Sequence, residues 1–265
     1  MPRVFPVFLA ALWLFARPAL SHEFWIAPQN YQVEIGAPLL ADLRTGQNFN
    51  GAAYPFFAAQ TARFELIRDG RAEVYTGRMG DLPALSTAAG ADGLVVILHQ
   101  TTPSTVAYAT WEDFAAFAAH KDFPNIRARH IGRGLPEAGF REVYTRYAKA
   151  LVGVGAARGA DSPTGLETEF VALANPYTDD LTDGFAVQLL YRGAPRAQAQ
   201  IEVFDRAPGG AVTVTRLRTD AAGKAMIPVT PGHEYLLDAV VLRPAPGDAA
   251  AAWETLWAAM TFSAP

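Results

Sequence analysis

The chain has 265 residues and contains no cysteine, which excludes disulfides and thiolate metal sites. Its 26 Asp and Glu residues outnumber its 22 Lys and Arg residues, and this acidic balance argues against nucleic acid as a partner, because such binding needs a basic surface. The composition is otherwise that of a globular protein, and the length exceeds what one small β-sandwich needs, so two domains are expected.

The first 21 residues have the three parts of a cleavable export signal. Arg3 provides the positive start, Val4–Ala16 is an apolar stretch, and small residues at Ala19 and Ser21 suit cleavage after Ser21. The apolar stretch is 13 residues long, whereas a membrane-spanning helix needs about 20. We therefore expect a periplasmic mature protein, residues 22–265, without a membrane span.

Short strands and turns dominate the part of the chain that follows. Alternating apolar and polar residues predict a strand at Arg63–Arg68, and Asp69-Gly70 predicts the hairpin turn after it. Residues 45–51 are rich in Gly and Asn and are expected to form a loop. The apolar run Leu94–His99 predicts a strand that is covered on both faces.

A different pattern begins at Thr110, a candidate N-cap with Asp113 three residues later. Apolar residues at helical spacing predict a helix near residues 111–122, and Pro124 is expected to end it. The Gly and Pro residues of segment 123–139 predict irregular structure. Residues 140–155 fit either a helix by apolar spacing or a strand by their β-branched and aromatic content, and we favour the strand.

The second half has strand patterns separated by regular turns, which is typical of a small antiparallel sandwich. The predicted fold is mainly β, with two antiparallel β-sandwich domains of Ig-like or peptidase-regulatory-like type and a short helical insertion in the first. The predicted boundaries are a signal peptide at 1–21, an N-terminal domain at 22–155, a linker and interdomain stretch at 156–184, and a C-terminal sandwich at 185–265.

His22 is the leading candidate for chemistry, because cleavage after Ser21 would make it the first residue. Its α-amine and imidazole could then chelate one transition-metal ion, since both are good ligands for such metals. The alternative is that His22 is merely a polar residue at the start of a strand, with Phe24 and Trp25 anchoring that strand by packing.

The further candidate ligands are single histidines without a sequence-local partner. His99 ends a buried strand, where a hydrogen-bonded structural role is the alternative. His120 lies at the end of the predicted helix, where the helix dipole stabilises a cation. His130 lies in the segment predicted as irregular, among several arginines. His233 follows a Pro-Gly turn and is expected at the surface.

Signatures of enzymes are missing from the sequence. It has no Gly-x-Ser-x-Gly elbow, no His-Glu-x-x-His metal motif and no Walker-type phosphate loop. The C-terminal Trp253 and Trp257 are better explained by core packing than by carbohydrate binding. A non-enzymatic protein is therefore expected.

Four segments together resemble one known family, the periplasmic domain-of-unknown-function family 4198. The opening His22-Glu23-Phe24-Trp25-Ile26-x-Pro28 resembles its start. The other three similar segments are Glu142–Gly155, Gly165-Leu166-x-x-Glu169 leading to Asn175-Pro176-Tyr177, and Trp253–Phe262. The resemblance implies a two-part, mainly β protein associated with nickel or cobalt uptake, in which His22 corresponds to a candidate ligand. Members often carry a histidine before the closing tryptophans, where this chain has Asp238-Ala239-Val240-Val241-Leu242.

The leading hypothesis is a periplasmic divalent-metal-binding accessory protein for nickel or cobalt uptake, with a membrane metal-uptake transporter as its expected partner. His22 would chelate the metal, and His99, His120 or His130 would complete the site. One alternative is a structural or ligand-binding β-sandwich module without metal. Another is a copper redox protein built on one amine and two imidazoles.

Overall fold

The structure is a computed structural model that describes residues 22–247 and 250–265. The predicted signal peptide, residues 1–21, lies outside the described residues. The strands of the first half are β1 (Glu23–Pro28), β2 (Gln32–Val33), β3 (Pro38–Gln47), β4 (Asn50–Tyr54), β5 (Thr61–Arg68), β6 (Arg71–Val74), β7 (Leu85–Ala88), β8 (Gly93–Thr101), β9 (Ser104–Tyr108) and β10 (Phe140–Val154). The helices are a 3₁₀ turn at Ala58–Gln60, α1 (Trp111–His120) and α2 (Ile126–Gly132).

The second half continues with strands. They are β11 (Thr168–Ala172), β12 (Phe185–Tyr191), β13 (Ala194–Pro195), β14 (Gln200–Arg206), β15 (Val212–Arg218), β16 (Lys224–Ile227), β17 (Glu234–Pro244) and β18 (Trp253–Ser263).

A ten-stranded sheet forms the middle layer of the molecule. Its main path runs β15-β14-β17-β18-β10-β8-β5-β6, and β2 and β9 also pair with β10. A four-stranded sheet of β1, β3, β4 and β7 packs on one face, and a four-stranded sheet of β11, β12, β13 and β16 packs on the other. Helices α1 and α2 cover the remaining part of the first face, where Phe114 and Phe117 contact the C-terminal tryptophans.

Strand β10 is the centre of this sheet. Along one edge it pairs in parallel with β18 and β2, and along the other it pairs antiparallel with β9 and β8. Backbone partners thus lie along both edges, and between the β9 and β8 pairings the Arg146 N–H donates to the Thr101 hydroxyl, which fits a strand whose residues are mostly buried. Side chains alternate between the faces, so Ala148 and Val152 lie in the core beneath β1 while Tyr147 and Leu151 lie in the core of the opposite face.

The expected mainly β architecture, with antiparallel sheets packed face to face and a short helical insertion, is confirmed. The strand assignment for residues 140–155 and the Thr110 cap of α1 are also confirmed, and the Asp113 N–H donates to the Thr110 hydroxyl. The burial of Trp253 and Trp257 agrees with a packing role.

Two local expectations were wrong. Segment 123–139 is not wholly irregular, because Ile126–Gly132 forms α2 with Ile126 and His130 buried against α1 and the sheet. Residues 45–51 are largely paired strand, since β3 and β4 form a hairpin whose turn is Asn48-Phe49. Both turn residues have positive φ, as a two-residue hairpin turn of this kind requires, and burial of the Phe49 ring fixes a residue that turn statistics would not favour there.

The ten-stranded sheet takes strands from both predicted domains, since β14, β15, β17 and β18 are hydrogen-bonded into the same sheet as β5, β8 and β10. The predicted interdomain stretch contains β11. The division into domains stays a prediction. Among residues 22–247 and 250–265, no helix combines the length and the apolar character needed to cross a membrane.

A buried group of ionic side chains connects β10 with β11 and with the segment before β11. The Lys149 ammonium lies 2.7 Å from the Asp161 carboxylate and 3.5 Å from the Glu169 carboxylate, and it donates to the Phe170 carbonyl at 3.0 Å. All three charged side chains are almost completely buried. Removing the cation would leave two buried carboxylates without their counter-charge.

We therefore expect Lys149→Met to lower the free energy of unfolding by about 3 to 5 kcal/mol, measured by urea denaturation. Lys224→Met is the matched control, because the Lys224 side chain on β16 is exposed and the change should stay within about 0.5 kcal/mol. Equal effects of the two substitutions would contradict a structural role for the buried ion group.

Candidate metal site

A cavity of about 300 Å³ opens where the start of β1 meets the end of β8 and the middle of β10. Its walls come from β1, β3, β4, the 3₁₀ turn, β5, β8, β9 and β10. The lining residues are His22, Phe24, Leu43, Thr45, Tyr54, Pro55, Phe57, Gln60, Thr61, His99, Thr101, Thr102, Ser104, Tyr144 and Arg146. This histidine pocket, as we call it, contains hydroxyls, two imidazoles and one guanidinium, but no Asp or Glu.

The structure brings His22 and His99 to this one pocket, although 76 residues separate them in the sequence. His22 is exposed at the mouth, immediately before β1, and its carbonyl accepts a hydrogen bond of 3.1 Å from Arg146. His99 is buried near the end of β8, with its ring centroid 5.4 Å from that of Phe24 and 5.1 Å from that of Phe64. Packing therefore fixes the His99 ring, whereas His22 is held through its backbone.

Hydrogen bonding defines which nitrogen of His99 carries the proton. The Thr61 hydroxyl donates its single proton to the Phe57 carbonyl at 3.1 Å, so it must accept from His99 Nε2, which lies 3.2 Å away. Nε2 is then protonated, and the lone pair is on Nδ1. That atom is buried and has no hydrogen-bond partner among the described residues. A fixed tautomer with one free lone pair is the form in which histidine binds a metal.

Burial also keeps the His99 ring neutral. The apolar surroundings disfavour the imidazolium and lower the pKa of His99 to about 3. Protons therefore do not compete for the ring at neutral pH, as metal binding by imidazole requires.

His120 and His130 lie outside the pocket, and hydrogen bonds occupy both nitrogens of each ring. His120 accepts from Arg216 at Nδ1 (3.0 Å) and contacts Glu202 through Nε2 (2.9 Å). His130, a fully buried residue of α2, accepts from Trp253 at Nδ1 (2.9 Å) and contacts the Pro136 carbonyl through Nε2. Neither ring offers a free lone pair in this arrangement.

Two residues of the pocket, Thr61 and Arg146, were not predicted as site residues from the sequence. Thr61 was not singled out, because its role depends on where β5 pairs with β8. Arg146 was noted only within the segment that resembles the family. A signal for it existed, since a lone arginine occupies the same face of β10 as Ala148, Ala150 and Val152, where an apolar residue would be expected.

A second buried charged group lies beside the pocket, on the other side of β1. The Lys121 ammonium at the end of α1 pairs with Glu202 and with Asp238, the latter at 2.8 Å. Although burial opposes it, hydrogen bonding from His120 and the charge of Lys121 hold the pKa of Glu202 at about 2. Burial, together with the charge of Asp238, raises the pKa of Glu23 to about 7.

No group of three or more His, Cys, Asp or Glu side chains is positioned to hold a metal ion within the described part of the chain. The arrangement at the pocket is different, because His22 would contribute two nitrogens if it were the first residue. One amine and two imidazoles make three nitrogen donors from two residues.

The fold and the pocket thus define a mainly β protein that presents two histidines to one small polar cavity. The sequence matches the family described as "Domain of unknown function (DUF4198)" over residues 19–243, and the chain belongs to that family. No curated protein matches it. Among solved structures it is similar to the "D0-D1 domain of Intimin", with 12% identity over 90% of this chain and 97% of that chain and a TM-score of 0.20, a similarity too weak to carry an argument.

The hydrogen bonds of His99 lead to a spectroscopic prediction. We expect ¹⁵N NMR of the ring to show the Nε2–H tautomer, without protonation between pH 8 and pH 5, because burial disfavours the cation. Thr61→Val removes the acceptor of Nε2 and should shift the tautomer population, whereas Thr102→Val, at an exposed hydroxyl near the same pocket, should not. A His99 titration midpoint near pH 6 would contradict this account.

The raised pKa of Glu23 predicts a pH-dependent stability. A carboxyl whose pKa rises from 4.5 unfolded to about 7 folded loses stability as pH increases through that interval, because the unfolded chain releases the proton more readily. Because a glutamine at position 23 cannot release a proton, the natural protein should lose stability between pH 4 and pH 8 relative to the Glu23→Gln variant. The difference in the free energy of unfolding between the two proteins should change by up to about 3 kcal/mol over this range. Urea denaturation at both pH values measures the difference, and an equal effect at the two values would contradict it.

Proposed function

We propose that this protein is a periplasmic, non-enzymatic accessory protein that binds a divalent transition metal, nickel or cobalt, for delivery to a membrane uptake transporter. The observation that carries the proposal is the placement of His22 and His99 in one pocket, with His99 Nδ1 buried and without a hydrogen-bond partner. Export with cleavage after Ser21 is part of the proposal, since only then does His22 have a free α-amine.

The donor set suits the proposed cargo. The amine and imidazole of His22 would form a chelate, and His99 Nδ1 would add a third nitrogen from a rigid strand. Neutral nitrogen donors favour nickel, cobalt and copper over magnesium or calcium, which prefer oxygen. Thr61 would act as the partner that orients the His99 ring through its other nitrogen, as outer ligands do in metal sites.

The exposure of His22 fits a protein that binds its metal reversibly. A metal held only by the exposed His22 and one buried ring can leave when His22 is displaced, whereas a closed four-ligand cage would retain it. This feature favours delivery to a partner over a permanent structural metal.

A second candidate function is a copper redox protein. The same three nitrogens, one amine and two imidazoles, are the set from which such a site is built, and Cu²⁺ binds nitrogen sites more tightly than Ni²⁺ or Co²⁺. Turnover of a reductant together with a copper EPR signal that depends on His99 would support this candidate over metal delivery.

The free amine gives the central prediction. A mature form beginning at His22 should bind Ni²⁺ at least about tenfold more tightly than a form with one additional N-terminal alanine, measured by calorimetry. His99→Phe should produce a loss of similar size, and Thr61→Val a loss of about 10- to 100-fold, as expected for a residue that orients a ligand.

Matched histidine controls distinguish the pocket from the other sites. His120→Gln should leave the Ni²⁺ affinity unchanged within about twofold, because His120 lies outside the pocket and its ring nitrogens are already engaged. Equal affinities of the mature and extended forms would remove the α-amine from the site, and failure of all forms to bind Ni²⁺, Co²⁺ or Cu²⁺ would overturn the proposal.

A further inference from the structure

Arg146 gives the histidine pocket a positive charge that has no ion-pair partner among the described residues. One terminal nitrogen of its guanidinium donates to the His22 carbonyl, and the group lies 4.7 Å from the Tyr144 ring centroid and 5.8 Å from that of Phe24. Within the described part of the chain no carboxylate lies within ion-pair distance of Arg146, and its Nε is buried without a hydrogen-bond partner. Burial lowers the pKa of Arg146 from its usual value.

The acidic residues nearest to Arg146 are engaged elsewhere. The Glu142 carboxylate accepts from the hydroxyls of Tyr108 and Thr255, and burial raises its pKa to about 7. Asp238 pairs with Lys121. Both act on Arg146 only from a distance, so the guanidinium retains the capacity to bind an anion inside the pocket.

The charge of Arg146 lowers the affinity of the pocket for a metal ion that carries no anion. A divalent cation at His22 and His99 would share the cavity with a guanidinium and with no acidic lining residue, and like charges in a partly buried site repel. An anion bound to the metal would remove the conflict. Planar carboxylates match the fork of a guanidinium, which can donate two parallel hydrogen bonds to one of them.

We propose that the pocket binds its metal as a complex with a small carboxylate, with the metal at His22 and His99 and the carboxylate at Arg146. The hydroxyls of Thr101, Ser104 and Tyr54 line the same cavity and can bind further polar groups of the anion. A cavity of about 300 Å³ is at the lower end of ligand pockets, which restricts the anion to a few carbon atoms. This inference rests on the proposed function and defines its substrate class.

Equilibrium dialysis with doubly labelled nickel and L-malate tests the proposal on the mature protein. The natural sequence should retain nickel and malate in a ratio near one to one, and malate should not be retained when nickel is omitted. Malamide, the uncharged diamide, should not be retained with nickel, because it cannot pair with the guanidinium.

Variants on β10 locate the anion. Arg146→Gln should lower the malate retained per bound nickel at least about tenfold, and Arg146→Lys should give an intermediate ratio because it keeps the charge but loses the fork. Arg141→Gln is the matched control, since Arg141 is exposed on the same strand and its substitution should leave the ratio near one. Thermal melting shows whether each variant folds. If Arg146→Gln does not fold, the malate ratio of Arg146→Lys tests the proposal instead.

The outcomes separate the two proposals. If both are supplied and the natural sequence retains nickel but no malate, the carboxylate proposal is overturned and the proposed metal site is not. Malate retained equally without nickel, or an unchanged ratio in Arg146→Gln, also overturns it. Failure to retain nickel with or without malate overturns the proposed function itself.

Discussion

The hydrogen-bonded pairing of β10 is the constraint on which the rest of the structure depends. A buried strand needs partners for its backbone groups, and β10 pairs with β18 and β2 on one edge and with β9 and β8 on the other. Because β18 comes from the end of the chain, the sheet of the first half is completed only by the last strand. The two halves are therefore joined by backbone hydrogen bonds as well as by side-chain packing.

The same strand places a cation on each face: Lys149 is fully buried and Arg146 is half-buried, and their surroundings differ. Lys149 is surrounded by Asp161, Glu169 and backbone carbonyls, which together neutralise its charge. Arg146, three residues earlier, faces the histidine pocket without such partners. Since an uncompensated buried charge is costly, this contrast is the basis on which we propose a ligand for Arg146, whereas the partners of Lys149 belong to the fold.

Hydrogen bonding also separates the histidines. A ring whose two nitrogens are engaged cannot bind a metal without losing an interaction, and this describes both His120 and His130. His99 is different because Thr61 engages one nitrogen and the other has no partner among the described residues. In the proposed metal site, the neutral and closely packed His99 would supply one nitrogen from inside the protein, and the exposed His22 would supply the others.

The sequence by itself determined the mainly β fold and the capped helix α1, and it favoured the strand at residues 140–154, because periodicity, capping residues and β-rich composition are local signals. It also singled out His22 as a candidate ligand, which stays a prediction. It also indicated His99 as one of several equivalent candidates. Only the tertiary structure decided that His99 and not His120 or His130 shares a pocket with His22, that Thr61 fixes its tautomer, and that Arg146 enters the same cavity. These relations depend on strand register and sheet packing across long sequence separations, on which a local pattern carries no information.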